Sequence, residues 1–212
     1  MSTDKSLEQL NREMEVAETD PFTVRRYGQF AQRLPGSVER ILDVGCNTGR
    51  GGSVIRAAFP SVTLHGVDLV PEYVAEMAPG IYDRLSGGYL QDYVGDGEPY
   101  DAILLGEVIE HVPLDAIDAL LEAVRRLLRP SGRLLLTTPN PHYFLLRLRY
   151  GGTMLGSAHV SAHCPTALTQ YLRFKQFSVE EVAGTGRWSS VIGRRLPLPL
   201  YGSYLMTVRR PA

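Results

Sequence analysis

Residues 41–52 read Ile-Leu-Asp-Val-Gly-Cys-Asn-Thr-Gly-Arg-Gly-Gly, and this stretch decides the fold. An apolar run typical of a buried strand enters a turn with Gly45 and Gly49, where the backbone can turn tightly and approach a ligand. Asp43 lies inside the end of the strand, where a buried carboxylate is costly unless cations or N–H donors meet it. A second apolar strand ends in Asp68, which is placed to accept hydrogen bonds from a ribose diol. The pattern predicts a site for a nucleotide-like ligand that carries positive charge.

A dinucleotide-binding turn is the main alternative for this stretch. Its fingerprint is Gly-x-Gly-x-x-Gly, and Asn47 stands where the second glycine would let a pyrophosphate approach the backbone. Residues 43–49 instead resemble motif I of the class I S-adenosylmethionine-dependent methyltransferases. In that family the turn wraps the methionine half of the cofactor. Its ammonium and sulfonium groups are both cationic, so the resemblance gives Asp43 an electrostatic role.

Composition excludes several classes of protein. The chain has 212 residues, 44% of them hydrophobic and 21% charged, which fits one soluble globular domain with a substantial core. A net charge of −1 gives no general attraction for a phosphate backbone. Two cysteines, Cys46 and Cys164, argue against a disulfide framework and favour a reducing compartment. We therefore expect a cytoplasmic protein with a small-molecule acceptor and without nucleic acid or membrane as a partner, and a homodimer stays open.

Apolar periodicity divides the chain into alternating strands and helices. The predicted strands are 41–44, 64–69, 88–93, 100–105, 133–138, 178–183 and 201–209. The predicted helices are 6–33 with an interruption near Pro21, 51–59, 71–77, 114–128 and 166–175, and a turn is predicted at 130–132. This alternation predicts an α/β fold with a doubly wound, mostly parallel sheet. The resemblance implies seven strands in a Rossmann-like arrangement, the last of them antiparallel, at the sheet edge or within it.

We expect one methyltransferase domain over residues 1–212. Residues 1–37 would form an N-terminal helical lid, 38–138 the cofactor-binding core, and 139–212 the acceptor-side region with the final strands. An ordinary covering helix is the alternative to a lid at the N-terminus. Trp188, the single tryptophan, would close over a ring-shaped acceptor from a glycine-rich loop.

Two further stretches resemble the motifs after strands four and five of the ubiquinone-biosynthesis type of O-methyltransferase. They are residues 100–113, which begin Tyr-Asp-Ala-Ile-Leu-Leu-Gly-Glu, and residues 128–140, which end Leu-Leu-Leu-Thr-Thr-Pro-Asn. With motif I and Asp68, the resemblance covers most of residues 38–175. It implies transfer of a methyl group from S-adenosylmethionine to a hydroxylated small molecule, such as a sugar or a phenol, with release of S-adenosylhomocysteine. Nitrogen or carbon acceptors, an RNA substrate and a noncatalytic cofactor-binding module stay as alternatives.

Carried over by position, the resemblance implies a set of cofactor-binding residues. They are Asp43, Gly45, Cys46, Asn47 and Gly49 for the methionine and ribose parts, Asp68 and Leu69 for the ribose diol and the adenine edge, and Gly106 and Glu107 for the methionine moiety. One position departs from the family, because Tyr89 in Gly88-Tyr-Leu90 replaces the usual acid. The adenine contact is therefore expected at Leu90, or at Asp92.

Methyl transfer to a hydroxyl needs a group that removes the proton, and histidine suits that task because its ordinary pKa lies near neutrality. We expect His159, His111 and His142 as catalytic candidates, since all three follow strands four and five, where ligands bind in such sheets. His159 is favoured because it opens a segment that resembles the family's acceptor-side region. A histidine that caps or packs under a helix is the alternative for His159, and a plain loop histidine is the alternative for His142.

Glu107, Glu110 and His111 raise the question of a metal ion. With a histidine from the 159–163 segment, such as His163, they could hold one divalent cation that polarises vicinal hydroxyls. The resemblance implies that the same pattern is a metal site in small-RNA 2′-O-methyltransferases. Many related proteins with similar sequences are metal-free. Carboxylate-rich ligation would favour Mg²⁺ or Mn²⁺.

Overall fold

The computed structural model describes residues 7–12, 21–151, 158–186 and 196–212, and seven strands in it form one sheet. The strands are β1 (Arg40–Val44), β2 (Thr63–Asp68), β3 (Arg84–Gly87), β4 (Tyr100–Gly106), β5 (Leu128–Pro139), β6 (Ser178–Thr185) and β7 (Ser203–Arg209). Their order is β3-β2-β1-β4-β5-β7-β6. Strands β1 to β5 pair in parallel, and β7 runs antiparallel between β5 and β6. The predicted α/β fold is confirmed, and the last strand lies within the sheet.

Helices cover both faces of this sheet, as a doubly wound fold requires. The helices are α1 (Leu7–Arg12), α2 (Pro21–Ala31), α3 (Arg50–Ala58), α4 (Pro71–Glu76), α5 (Ile117–Leu127), α6 (Phe144–Tyr150) and α7 (Pro165–Phe174). Of the helices in the described ranges, none combines the length and the apolar character that a membrane span requires.

The central strands are apolar on both faces because each face is covered. In β4, Ile103 and Leu105 join one core cluster with α5 and α7, whereas Leu104 joins the other cluster with α2 and α3. Successive side chains of a strand point to opposite faces, so a continuous apolar run serves both cores. Each fully buried leucine contributes about 1.5–3 kcal/mol relative to an exposed one. The two cores therefore hold the ends of β1, β2 and β4 at fixed positions.

Three predicted elements differ from the structure. The strand predicted at 88–93 lies earlier, at β3, and residues Leu90–Asp92 form a 3-10 turn instead. The helix predicted from residue 114 begins at Ile117, after a 3-10 turn at Leu114–Ala116. The turn predicted at 130–132 is part of β5, where Ser131 takes a φ of +63° and the strand continues through an irregularity. Pro21 begins α2, whereas residues 13–20 and Trp188 lie outside the described residues.

Candidate cofactor and acceptor site

A cavity of about 390 Å³ opens at the carboxyl ends of β1, β2 and β4. Its walls come from the turn after β1, the residues after β2, the 3-10 turn at Leu90–Asp92, the segment after β4 and one side of α2. Ligands of doubly wound sheets bind at this end of the strands. The cavity wall includes most of the predicted cofactor residues: Gly45, Cys46, Asn47, Asp68, Leu69, Leu90, Gly106 and Glu107.

The turn after β1 needs glycine at its first position. Gly45 has a φ of +72°, and a Cβ placed there would lie 2.6 Å from Cγ2 of Val108. Its backbone N–H, like that of Cys46, donates to the carbonyl of Val67, at 2.8 Å and 3.2 Å. Gly49 has a φ of +83°, directly precedes α3 and does not line the cavity. Both glycines therefore shape the turn, and only Gly45 also borders the ligand space.

Asp68 lies on the cavity wall with both carboxylate oxygens already oriented. One oxygen accepts from the backbone N–H of Asn47 at 2.7 Å, and the other accepts from that of Val70 at 2.9 Å. Burial raises the pKa of Asp68, and these two backbone bonds oppose the rise. Each carboxylate oxygen can accept more than one hydrogen bond, so Asp68 can still receive a diol.

Asp43 lies one layer behind the cavity wall. Its carboxylate is fully buried and accepts hydrogen bonds from the hydroxyls of Tyr27 and Tyr82, each at 2.6 Å. Burial raises the pKa of Asp43 to about 7, although the two tyrosine bonds favour the ionised form. Tyr27 itself lines the cavity, whereas Asp43 and Tyr82 do not. The structure thus places a tyrosine of α2 between this acid and the ligand space.

Helix α2 supplies a buried arginine that sequence reasoning missed. Arg26 is 7% exposed and lines the cavity, and its Nε has no hydrogen-bond partner among the described residues. Its guanidinium stacks 4.3 Å from the ring centre of Phe22 and lies 3.7 Å from Oε1 of Glu107. A buried cation without full pairing can bind an anionic group of a ligand. The pair Arg25-Arg26 in an amphipathic helix was the available signal, and it does not tell which arginine faces inward.

Glu107 follows β4 in a strained conformation. Its φ is +60°, which is uncommon for a residue with a side chain, and its N–H donates to both the carbonyl and the hydroxyl of Thr137. Its Oε1 is buried and has no hydrogen-bond partner among the described residues, while Oε2 lies 3.4 Å from the Ser203 hydroxyl. A buried carboxylate oxygen at the cavity that accepts no hydrogen bond can bind a cation or a donor of a ligand.

Glu110, His111 and His159 meet at the same side of the cavity. One potential ligand atom from each lies within 4.8 Å of the others. Glu110 is 1% exposed, its Oε2 accepts from the hydroxyl of Thr138 at 3.0 Å, and its Oε1 has no partner among the described residues. Burial and the neighbouring Glu107 raise the pKa of Glu110 well above its ordinary value. Two of the three residues, His111 and His159, line the cavity.

The tautomer of His111 follows from its partner. Nδ1 lies 3.0 Å from the carbonyl oxygen of Ala158, and because a carbonyl can only accept, Nδ1 carries the proton. The other nitrogen, Nε2, therefore keeps its lone pair. Burial and the facing ring of His159, whose centre is 4.9 Å away, lower the pKa of His111 to about 4. Burial also lowers the pKa of His159, and the charge of Glu107 opposes that shift.

His163 and His142 lie outside this group. His163 is buried beneath it, and its Nε2 lies 2.8 Å from the hydroxyl of Ser161. That hydroxyl donates to the carbonyl of Ile109 at 3.1 Å, so the histidine must be the donor to Ser161. His163 thus supports the segment that carries His159. His142 is exposed and does not line the cavity. Its backbone N–H donates to Oδ1 of Asn140.

The strand order with an antiparallel seventh strand, together with a cavity at the strand ends, defines the class I S-adenosylmethionine-dependent methyltransferase fold. Residues 16–182 match the family described as methyltransferase domain, and the chain belongs to that family. The cofactor of this class is S-adenosylmethionine, as the sequence predicted.

Curated relatives carry the name ubiquinone biosynthesis O-methyltransferase. One from Xylella fastidiosa (strain 9a5c) is 31% identical over 157 residues, which cover 70% of this chain and 60% of the relative. One from Xanthomonas oryzae pv. oryzae (strain PXO99A) is 31% identical over 173 residues, which cover 75% of this chain and 71% of the relative. The match therefore spans about 60% of the length of the Xylella protein.

Solved structures agree on the fold. N-methyltransferase NodS from Bradyrhizobium japonicum WM9, in complex with S-adenosylhomocysteine, superposes with a TM-score of 0.66 and 17% identity, covering 97% of this chain and 98% of NodS. The small RNA methyltransferase HEN1 gives a TM-score of 0.68 and 22% identity, covering 94% of this chain and 27% of that protein. At these identities the likeness shows the fold alone.

Proposed function

We propose that this protein transfers a methyl group from S-adenosylmethionine to a hydroxyl oxygen of a small molecule and releases S-adenosylhomocysteine. The observation that carries the proposal is the pair of half-buried histidines, His111 and His159, on the wall of the cavity that Asp68 and Gly45 also line. The names of the relatives that are 31% identical over 157 and 173 residues support an oxygen acceptor.

The residues of the cavity fit the cofactor. Asp68 can accept the ribose diol, and Leu69 with Leu90 offers apolar walls for a base. Oε1 of Glu107, which accepts no hydrogen bond from the described residues, suits an ammonium group, and Nε of Arg26, which donates none to them, suits a carboxylate. Glu107 and Arg26 form an ion pair at 3.7 Å without a hydrogen bond, and a zwitterionic amino acid moiety is the ligand part that can hydrogen-bond to both at once. When bound, S-adenosylmethionine supplies a methyl group on a sulfonium, which is already activated for transfer.

His159 is the better general base of the two histidines. A base whose pKa lies far below the working pH drives proton removal weakly, and the pKa of His111 is about 4. The charge of Glu107 raises the pKa of His159 against the effect of burial, so this ring keeps more of its basicity. We therefore assign proton removal from the acceptor hydroxyl to His159, and orientation of the acceptor or of His159 to His111.

The test uses S-adenosylmethionine with a labelled methyl group and a panel of phenols, glycosides and amines. We expect label on a hydroxyl oxygen, and we expect His159→Gln to lower kcat about 10²–10⁴-fold while its affinity for S-adenosylhomocysteine stays unchanged. His142→Gln is the matched control, because that histidine is exposed and away from the cavity. Label on amines alone, or full turnover by His159→Gln, would contradict the assignment.

A metal-assisted form of the same reaction has its own supporting observation. The ligand atoms of Glu110, His111 and His159 converge, and Oε1 of Glu110 is buried without a partner. His111 offers the Nε2 lone pair, which is the form that a metal requires. The group fits one divalent cation, Mg²⁺ or Mn²⁺ among others, which would orient and polarise an acceptor hydroxyl.

Binding of Mn²⁺, followed by electron paramagnetic resonance, tests the metal separately from activity. We expect stoichiometric binding by the wild type and a loss of at least tenfold in affinity for Glu110→Gln. Glu98→Gln controls for the loss of one exposed carboxylate. Absence of binding, together with activity that chelators leave unchanged, would remove the metal from the proposal.

Three further expectations from the sequence stay predictions: that nucleic acid is not a partner, that the protein forms a homodimer, and that it is cytoplasmic.

A further inference from the structure

The buried carboxylate of Asp43 connects two parts of the molecule that border the turn after β1. Asp43 accepts from Tyr27, which belongs to α2, and from Tyr82, which lies between α4 and β3. Each hydrogen bond goes to a different oxygen and is 2.6 Å long. We propose that the Asp43 carboxylate is a latch for α2, so that Tyr27 and Asp43 are positioning residues that close one wall of the cofactor cavity. The inference rests on the proposed cofactor site.

The ring of Tyr27 sits in a slot that two glycines leave open. A Cβ on Gly106 would lie 3.0 Å from the ring, and a Cβ on Gly51, near the start of α3, would overlap it. The ring also meets Phe30 edge to face, with centres 5.3 Å apart, and Tyr27 is 3% exposed. Apolar packing of this kind holds the helix down but tolerates small shifts. The hydroxyl bond to Asp43 is directional, so it fixes where along the slot the ring stops.

The position of α2 decides what faces the ligand. Thr23, Arg26 and Tyr27 are its contributions to the cavity wall. Arg26 lies 3.7 Å from Glu107, and the next residue, Tyr27, is the one whose ring occupies the slot. If α2 lifts, the cavity loses its arginine and one aromatic wall together. Any ligand that touches these residues therefore binds more tightly when the latch is closed, and its apparent affinity falls in proportion to the closed fraction.

Tyr82 provides the comparison that isolates this effect. Its hydroxyl makes a bond of equal length to the same carboxylate, and its ring packs against the backbone of Gly52 and Gly66. Tyr82 is neither on α2 nor on the cavity wall. Loss of the Tyr82 hydroxyl therefore removes one hydrogen bond from Asp43 without releasing α2. A purely structural role for the two tyrosines predicts equal consequences for the two substitutions, and a latch does not.

The experiment compares Tyr27→Phe with Tyr82→Phe. We expect both to lower Tm by a similar amount, about 3–8 °C. Tyr27→Phe should raise the Kd for S-adenosylhomocysteine about tenfold and speed amide hydrogen exchange of residues 21–31 about tenfold, because one charge-assisted bond holds the helix. Tyr82→Phe should leave both quantities within about twofold of the wild type. Equal effects of the two variants on Kd and on exchange would overturn the latch.

A second pair of variants covers the case in which Tyr27→Phe does not fold. Gly51→Ala places a methyl group in the slot, although alanine itself favours the helix at that position. We expect faster exchange of residues 21–31 and a Kd raised at least fivefold. Gly28→Ala, on α2 itself, meets nothing within 4 Å and should retain the wild-type values. Wild-type rates of amide exchange in Gly51→Ala would refute the latch. This readout does not depend on the ligand. Failure of the wild-type protein to bind S-adenosylhomocysteine would refute the proposed function and not the latch.

Discussion

Gly45→Ala tests whether the turn after β1 is fixed by backbone conformation or by close packing. Alanine at a φ of +72° costs about 1–2 kcal/mol in backbone energy. Its Cβ would also lie 2.6 Å from Cγ2 of Val108, and overpacking of this kind costs typically about 1–3 kcal/mol. The expected loss in the free energy of unfolding is therefore about 2–5 kcal/mol, a large share of the stability of an ordinary domain.

Urea unfolding followed by circular dichroism separates the two contributions. Gly97→Ala is the control, because Gly97 has a φ of +90° in an exposed loop and a Cβ there would meet nothing within 4 Å. It should lose the backbone part alone, about 1–2 kcal/mol. The double variant Gly45→Ala/Val108→Ala removes the methyl group in the way and should be more stable than Gly45→Ala. The reasoning fails if Gly45→Ala loses no more than Gly97→Ala, or if the second substitution recovers nothing.

Three other substitutions probe the buried polar groups. Because the pKa of Asp43 rises from 3.8 to about 7, the native state keeps a proton that the unfolded state releases between these values, and stability falls by up to roughly 4 kcal/mol as pH rises through this range. Asp43→Asn should remove most of that fall when urea unfolding at pH 4 is compared with pH 8, and an unchanged slope would contradict the assignment. Asp68→Asn should lower the affinity for S-adenosylhomocysteine about 10–100-fold by calorimetry, since an amide cannot accept on both sides; unchanged affinity would exclude Asp68 from the site. Tyr100→Phe removes the hydroxyl 2.6 Å from Nδ1 of His65 and should cost about 1–3 kcal/mol in urea unfolding, and a neutral effect would mean that Tyr93 replaces the bond.

The order of strands and helices could be predicted because most strands are buried on both faces. An apolar run such as residues 100–105 has few alternatives when its flanks carry turn residues. Strand β3 escaped prediction because it lies at the sheet edge and pairs with β2 alone. Its sequence Arg-Leu-Ser-Gly carries one large apolar residue, so periodicity gives no signal. Tyrosines at 89 and 93 gave a false strand signal next to it, where the chain forms a 3-10 turn.

The candidate site likewise has a part that the sequence predicts and a part that it does not. Residues at the end of a parallel strand or directly after it, such as Asp68 and Glu107, could be placed at the cavity in advance, because topology alone brings strand ends together. The contribution of α2 could not, because Tyr27 reads as one more apolar position of an amphipathic helix. Its hydroxyl finds a partner 16 residues away and Tyr82 finds the same partner from 39 residues away. No local pattern marks such a meeting, and a motif acid like Asp43 was therefore expected to face the ligand.

Glu107 connects the two ends of the proposed site, and its conformation explains how. A φ of +60° costs this residue about 1–2 kcal/mol, and the hydrogen bond of its N–H, shared between the carbonyl and the hydroxyl of Thr137, offsets part of that cost. The carboxylate lies beside Arg26, and its charge opposes the lowering of the His159 pKa that burial causes. A ligand cation that pairs with Glu107 would weaken its influence on His159. Cofactor binding and the basicity of the proposed base are thus linked through one strained residue, which is where strain is most often retained in enzymes.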